Sequence, residues 1–312
     1  MSHSLLYRNL VAVLLLSLGL YACEDVINPE LEIAQPVLVI DAWLNNEPGA
    51  KQINITRSQP YFENVLPPGV SGAVVTVTDD AGKVYSFKES GPGLYEWTPT
   101  GNEVFGEVGR SYTLQVQEGN ETYISESRMG RVPAIDSITF FLEPASQFVD
   151  DQYFAEFWAT DPIEPGDAYW VKTFKNSEQL LKPSEIVTAY DAGFSKGGNF
   201  NGVPFIAPIR RAINPFDEDE DGKIKSPYVV GDSVYVQLQS VTEASFNFLN
   251  EVRTQTDRPG GFSELFATPL ANVATNITSV NNNGTKVLGF FNVGAVSGLG
   301  RKFKSLDDLS KN

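Results

Sequence analysis

Asp217, Asp219 and Asp221 stand at alternate positions of one acidic run, and Gly222 follows where a calcium loop turns sharply. Calcium takes about six to eight hard oxygen ligands, so three carboxylates on one tight loop could begin its shell. The Lys223 carbonyl would add a ligand, and Ile224 fills the apolar slot that fastens such loops to a core. The ninth and twelfth positions are Lys225 and Tyr228, so the bidentate Glu of an EF-hand is missing and a full site must borrow a carboxylate from elsewhere. A solvated acidic loop is the alternative. Arg210-Arg211, just upstream, could clamp an anionic ligand, although pairing with the Asp217–Asp221 charges is the simpler use.

Other chemistry is removed by composition. The only His is His3 and the only Cys is Cys23, both in or beside an N-terminal segment with the features of a cleaved export signal. A mature chain without imidazole or free thiol excludes Ser-His-Asp and Cys-His nucleophiles and His or Cys zinc sites. Paired carboxylates could still hydrolyse a glycosidic bond, but abundance of Asp and Glu is not pairing. Losing Met1–Ala22 leaves 22 Lys and Arg against 39 Asp and Glu, a balance of −17. Such a surface repels phosphate backbones, so nucleic-acid binding is discarded.

Leu10–Leu20 is an apolar run interrupted only by Ser17 and Gly19. It is shorter than the roughly 20 residues a membrane-spanning helix needs. It ends in Leu20-Tyr21-Ala22-Cys23, which resembles a bacterial lipobox with Cys23 as the lipidated mature N-terminus. Each buried CH₂ of an acyl chain contributes about 0.8 kcal/mol, so several chains on Cys23 would hold the protein at a membrane without crossing it. Glu24-Asp25 follows at once, as in surface-exported lipoproteins, and a plain solvated linker is the alternative. With one cysteine, disulfides cannot stabilise the body.

The elements that must position these groups are mostly strands. Residues 1–22 are expected as the signal and 23–35 as a lipidated tether. Within 36–131, Ile53 and Ile55 alternate with polar neighbours, and Val74–Thr78 turns through Asp79-Asp80-Ala81-Gly82 into Lys83–Lys88 as a hairpin. About seven such short strands predict an immunoglobulin-like β-sandwich there. Residues 132–300 are expected as a larger β-rich domain with one capping helix, Glu243–Thr256 after Thr242, and 301–312 as a loose polar tail. Residues 176–228 lack periodicity and contain Gly197-Gly198, Pro204, Pro208 and Pro215, so they are expected as a long irregular insertion. Binding often resides in such excursions. Its aromatics Tyr190, Phe194, Phe200 and Phe205, with Arg210 and Arg211, are therefore the ligand-binding candidates. Trp43, Trp97, Trp158 and Trp170 lie inside strands and are expected to pack in the core.

Several segments, in order, carry a resemblance. They include the Cys23 motif, Val37–Leu44, Ser71–Val75, Val132–Ile138, Asp161-Pro162 ahead of Tyr169-Trp170, Ser240–Phe246, Asn272–Ile277 and Leu288–Phe291. Together they resemble the Bacteroidota lipoprotein family catalogued as domain of unknown function 4249, over nearly the whole mature chain. That resemblance implies an outer-membrane lipoprotein, facing the cell surface, that works beside a TonB-dependent transporter as a non-catalytic accessory or ligand-capture subunit. It transfers no catalytic residue and names no ligand. A structural surface protein or adhesin, and a carboxylate-based glycoside hydrolase, are the alternatives.

Overall fold

The computed structural model describes residues 35–60, 63, 65–146, 149–281 and 285–310. Cys23 and the expected signal therefore lie outside the described residues. Strands dominate. The first seven are β1 (Leu38–Asn45), β2 (Lys51–Arg57), β3 (Val74–Asp79), β4 (Val84–Gly91), β5 (Leu94–Trp97), β6 (Ser111–Glu118) and β7 (Glu121–Arg128). Period-two alternation sends Leu38, Ile40, Ala42 and Leu44 of β1 inward, with Ile53, Ile55, Val75, Val77, Tyr85, Phe87, Leu114 and Val116 meeting them in one core. The expected hairpin of Val74–Thr78 with Lys83–Lys88 is present, its second strand starting at Val84, with Val84 exposed and Tyr85 and Phe87 buried.

These strands form one hydrogen-bonded path, β7-β6-β3-β4-β5-β2-β1. β4 serves both halves: Val84–Phe87 pair with β3, and Lys88 onward pairs with β5 through an irregularity between Glu89 and Gly91. Such an irregularity bends a strand and lets it leave one sheet for another. Two tyrosines pin the connecting loops. The Tyr112 hydroxyl accepts the Glu107 N–H at 2.7 Å, and the Tyr95 hydroxyl bridges the Val70 carbonyl and the Ala73 N–H.

The second group comprises β8 (Ile135–Glu143), β9 (Gln152–Ala159), β10 (Ala168–Lys175), β11 (Glu178–Gln179), β12 (Val187–Tyr190), helix α1 (Ala207–Arg211), β13 (Ser233–Val241) and helix α2 (Glu243–Thr256). It is followed by β14 (Thr278–Ser279), β15 (Val287–Gly294) and β16 (Val296–Lys302). β10 pairs with β11, β12 and β13, and β13 with β16, while β8 and β9 form a separate ribbon. A second core lies between ribbon and sheet, built on Ile138, Phe140, Phe157, Tyr169, Val171, Val236 and Leu238. Thr242 caps α2 as expected, its hydroxyl accepting the Ser245 N–H at 3.1 Å, with Phe246 and Leu249 buried beneath.

Three expectations need correction. β15 pairs in parallel with β1 along its whole length, and β14 extends the other end of the path beside β7. The chain thus returns from beyond residue 132 to complete the first sheet, and Pro36–Asn312 forms one compact unit. The reason is the edge: β1 would otherwise present a row of unpaired backbone groups. The ends of the path also meet, the Val293 N–H donating to Ser127 Oγ at 2.9 Å.

The 176–228 segment, moreover, is not a bare excursion. It contributes β12, α1 and the buried side chains Phe205, Ile209, Ile213 and Tyr228 to the second core. Its prolines and glycines hid apolar residues that carry no strand or helix period but still reach the core. Nor is the C-terminal stretch loose: Arg301 and Lys302 belong to β16, Phe303 is fully buried and stacks on Phe140 at 4.7 Å, and the Ser310 N–H donates to the Phe140 carbonyl.

Candidate functional site

Along β1, Asp41 and Trp43 share a parity that points away from the first core. Along β10, Trp170 and Lys172 point away from the second. These two outward faces meet, and α2 closes over them. Trp43 packs edge-on to Trp170 at 5.2 Å and stacks with Phe290 of β15 at 5.9 Å. Phe248 of α2 lies 4.4 Å from Phe290 and 6.0 Å from Trp43. The result is an aromatic cleft drawn from both sheets and the helix. It opens into a cavity of about 190 Å³ walled chiefly by Trp43, Trp170, Leu181, Ile186, Phe248 and Val252.

Charge sits inside this apolar wall. The Lys172 ammonium lies over the Trp170 ring at 4.2 Å, a cation–π contact. Among the described residues, no carboxylate lies within ion-pair distance of Lys172, although Glu47 and Asp41 both act on it electrostatically. Enclosure by protein pushes its pKa down to about 8, against the pull of Glu47 and Asp41. Asp41 is solvent-accessible at its edge, yet the walls of the concavity desolvate it and raise its carboxyl, with Lys172 opposing. Glu47 is anchored by Gln237 Nε2 at 2.8 Å. The arrangement offers aromatic faces to an apolar or ring-shaped group, an ammonium to an anionic oxygen, and a carboxylate to a hydroxyl or amine.

Lys172 carries a pH dependence whose sign is fixed. Its folded pKa lies below the unfolded value of about 10.4, so the folded state binds fewer protons between them. The penalty for burying the ammonium is therefore present in full below pH 8 and is relieved as the pH rises towards 10. Replacing Lys172 by Met is expected to raise the melting temperature at pH 7, with the advantage shrinking by pH 10. A difference between variant and wild type that stays level over this range would show that Lys172 titrates as an ordinary surface lysine.

The residues singled out by sequence fall elsewhere. Phe205 is fully buried against Phe157 and Tyr169 and is a core residue rather than a ligand contact. Tyr190 is buried edge-on to Phe246 at 5.6 Å. Phe194 is exposed, and Phe200 covers Gly193 and Gly198, where a Cβ would strike its ring. Arg210 and Arg211 do not reach the acidic loop. Both engage buried Glu156, Arg210 at 2.7 Å and Arg211 at 3.4 Å, while their guanidinium planes lie over Trp158 and Phe141. Trp97 packs in the core, but Trp43 and Trp170 are only half-buried and line the cleft, and Trp158 is exposed beneath Arg210. The clue available in the sequence was parity: Trp43 alternates with Asp41, and Trp170 with Lys172, on the polar side of each strand.

The acidic loop forms a small hairpin turn. Asp219 Oδ1 accepts the Asp221 and Lys223 N–H groups, Asp217 pairs with Lys182, and Lys223 pairs with Asp150. Among the described residues, no three His, Cys, Asp or Glu side chains are grouped to hold a metal ion. Calcium would have to displace Lys182 from Asp217 and compete with two backbone donors for Asp219. The calcium-loop assignment is tested by melting: a rise with millimolar calcium that vanishes in Asp219→Ala supports it, and an unchanged melting temperature retires it.

Among the described residues, no helix is long and apolar enough to cross a membrane. No curated protein is similar enough to the chain to match it. Residues 24–298, nearly all of the chain, match the family model described as Domain of unknown function (DUF4249), and the protein belongs to that family.

Proposed function

We propose that the protein is a lipid-anchored, non-catalytic ligand-capture subunit, tied through Cys23 to the outer membrane and working at the cell surface beside a TonB-dependent transporter. The observation that carries the capture role is the cleft: among the described residues Lys172 has no ion pair, and it stands in an aromatic wall built from Trp43, Trp170, Phe248 and Phe290, with Asp41 exposed at its edge. An enclosed ammonium without an ion-pair partner costs stability, and a ligand that supplies an anionic partner recovers it. Supporting the anchor is the Leu20–Cys23 motif. Anchoring confines the cleft to a thin layer at the membrane and raises its effective concentration beside a co-anchored transporter. The N-terminal sheet is read as immunoglobulin-like because β1-β2-β5 and β3-β6-β7 lie on either side of the shared strand β4, and because Tyr112 pins the chain just before β6.

Two measurements test this reading. A tagged copy purified from native outer membranes is expected to bring down a TonB-dependent barrel in stoichiometric amount. Repeated absence of a barrel would favour a structural surface protein. Oligopeptides and oligosaccharides titrated against the purified protein are expected to quench its tryptophan fluorescence, with the response lost in Trp170→Ala. Quenching that survives in Trp170→Ala would move the binding site away from the cleft.

A further inference from the structure

Exposed apolar side chains are scattered over the body, but six of them lie on three segments that converge on the end where β1 begins. β1 starts there: Leu38 pairs with Arg57, the last residue of β2, and with Val287, the first of β15. Val37 is hydrogen-bonded to Ser58 through both backbone and side chain, which places the segment after β2 beside the point of entry. That segment carries Leu66. The segment before β15 carries Val280, whose N–H donates to the Thr122 carbonyl near the start of β7.

A third segment reaches the same end through α2. The helix starts opposite Asn292, to which Thr242 and Ser245 donate, and Asn292 is in register with Trp43. Further along the helix, Glu251 accepts the Ala274 N–H, and the neighbouring Thr275 donates to the carbonyl of Gly289, which is in register with Ile40. The helix therefore runs towards Leu38. The chain that leaves it carries Phe262, Leu265, Phe266 and Leu270. These four, with Leu66 and Val280, are between 57% and 92% exposed. Isolated exposed apolar residues are ordinary, but six large ones on three segments at one end mark a contact surface.

We propose that this end rests on the phospholipid bilayer that holds the anchor, with the Phe262–Leu270 segment entering its interface. This rests on the reading of Cys23 as the lipidated residue. Glu24–Gln35 is a twelve-residue tether. Even fully extended it spans only about 40 Å. The end bearing Val37 is thus the one the tether holds against the membrane. The body is strongly acidic, so anionic headgroups do not attract it, and contact comes from apolar insertion.

The lone cysteine makes the test clean, since lipidation blocks its sulfur and an introduced cysteine becomes the only labelling site. The mature lipoprotein, reconstituted in phosphatidylcholine vesicles, is labelled with an environment-sensitive dye at Phe266→Cys or at Thr98→Cys. Thr98 is exposed and follows Trp97, which pairs with Lys51 at the far end of β2. Lipids brominated on the acyl chain are expected to quench the dye at position 266 at least fivefold more than at 98, equally in low and high salt. Equal quenching at both positions, in protein that floats with the vesicles, overturns the proposal while leaving the anchor intact. Shielding at 266 that requires a co-purified membrane protein overturns it in favour of a protein contact. Intact mass showing a bare Cys23 thiol removes both the anchor and the proposal. A Phe262→Ser/Phe266→Ser variant lacking the lipid through Cys23→Ser is expected to co-float several-fold less than Cys23→Ser alone, and equal flotation of the two counts against insertion.

Discussion

Gly289→Ala is expected to destabilise the protein by on the order of 3 kcal/mol or more, among the largest effects of any single methyl group in the chain. Gly289 has a φ of 96°, and a Cβ built there would lie 2.0 Å from the Ile40 carbonyl oxygen on the partner strand. Backbone lies on the far side of that clash, so no side-chain rotation relieves it. The parallel β1–β15 register must shift, and with it Asp41, Trp43 and Phe290, which build the cleft. Gly49→Ala is the control: its φ is 104°, but nothing lies within 4 Å, so only the conformational cost of about 1–2 kcal/mol applies. Denaturant unfolding of the two variants checks this. A midpoint for Gly289→Ala no lower than that for Gly49→Ala would show that the strands are not packed so closely.

Removing the Glu156 carboxylate by Glu156→Ala is expected to cost about 3–5 kcal/mol, the usual penalty for leaving a buried charge without its partner. Glu156 is buried on β9 and accepts from Arg210 at 2.8 Å, with Arg211 at 3.4 Å. The Arg210 guanidinium, itself largely enclosed, covers Trp158 at 3.9 Å and cannot swing free without exposing that ring. The remedy distinguishes charge from packing: Arg210→Met in the Glu156→Ala background is expected to recover part of the loss, because no orphaned cation then remains. Additive losses in the double-mutant cycle would mean that the pair is not coupled.

Both effects arise in parts of the chain whose roles depend on distant partners. The cleft depends on partners that are far apart in sequence. The strand alternation around Trp43 and Trp170 predicts that both pack in the core. Alternation does place them, but on the outward parity, and only the meeting of two outward faces makes that parity a site. Sequence proximity predicts that Arg210 and Arg211 pair with the Asp217–Asp221 charges, whereas the folded chain gives them a carboxylate from β9. The segment around Phe205 lacks a period, which makes the ring look free for a ligand, and the structure uses that irregular backbone to deliver it to the second core.

What the sequence determined by itself is local: the β-rich character, the hairpin at Val74–Lys88, the capped helix from Thr242 and the family. Each depends on side-chain period, turn chemistry or residue order within a short stretch, where neighbours along the chain are also neighbours in space. Only the tertiary structure decided that β15 returns to pair with β1, that Phe303 seals the second core, and that Asp41, Lys172 and four aromatics share one cleft. Those outcomes join residues up to about 250 positions apart, and such pairings are selected by which exposed edges and apolar faces remain to be covered once the local elements have formed.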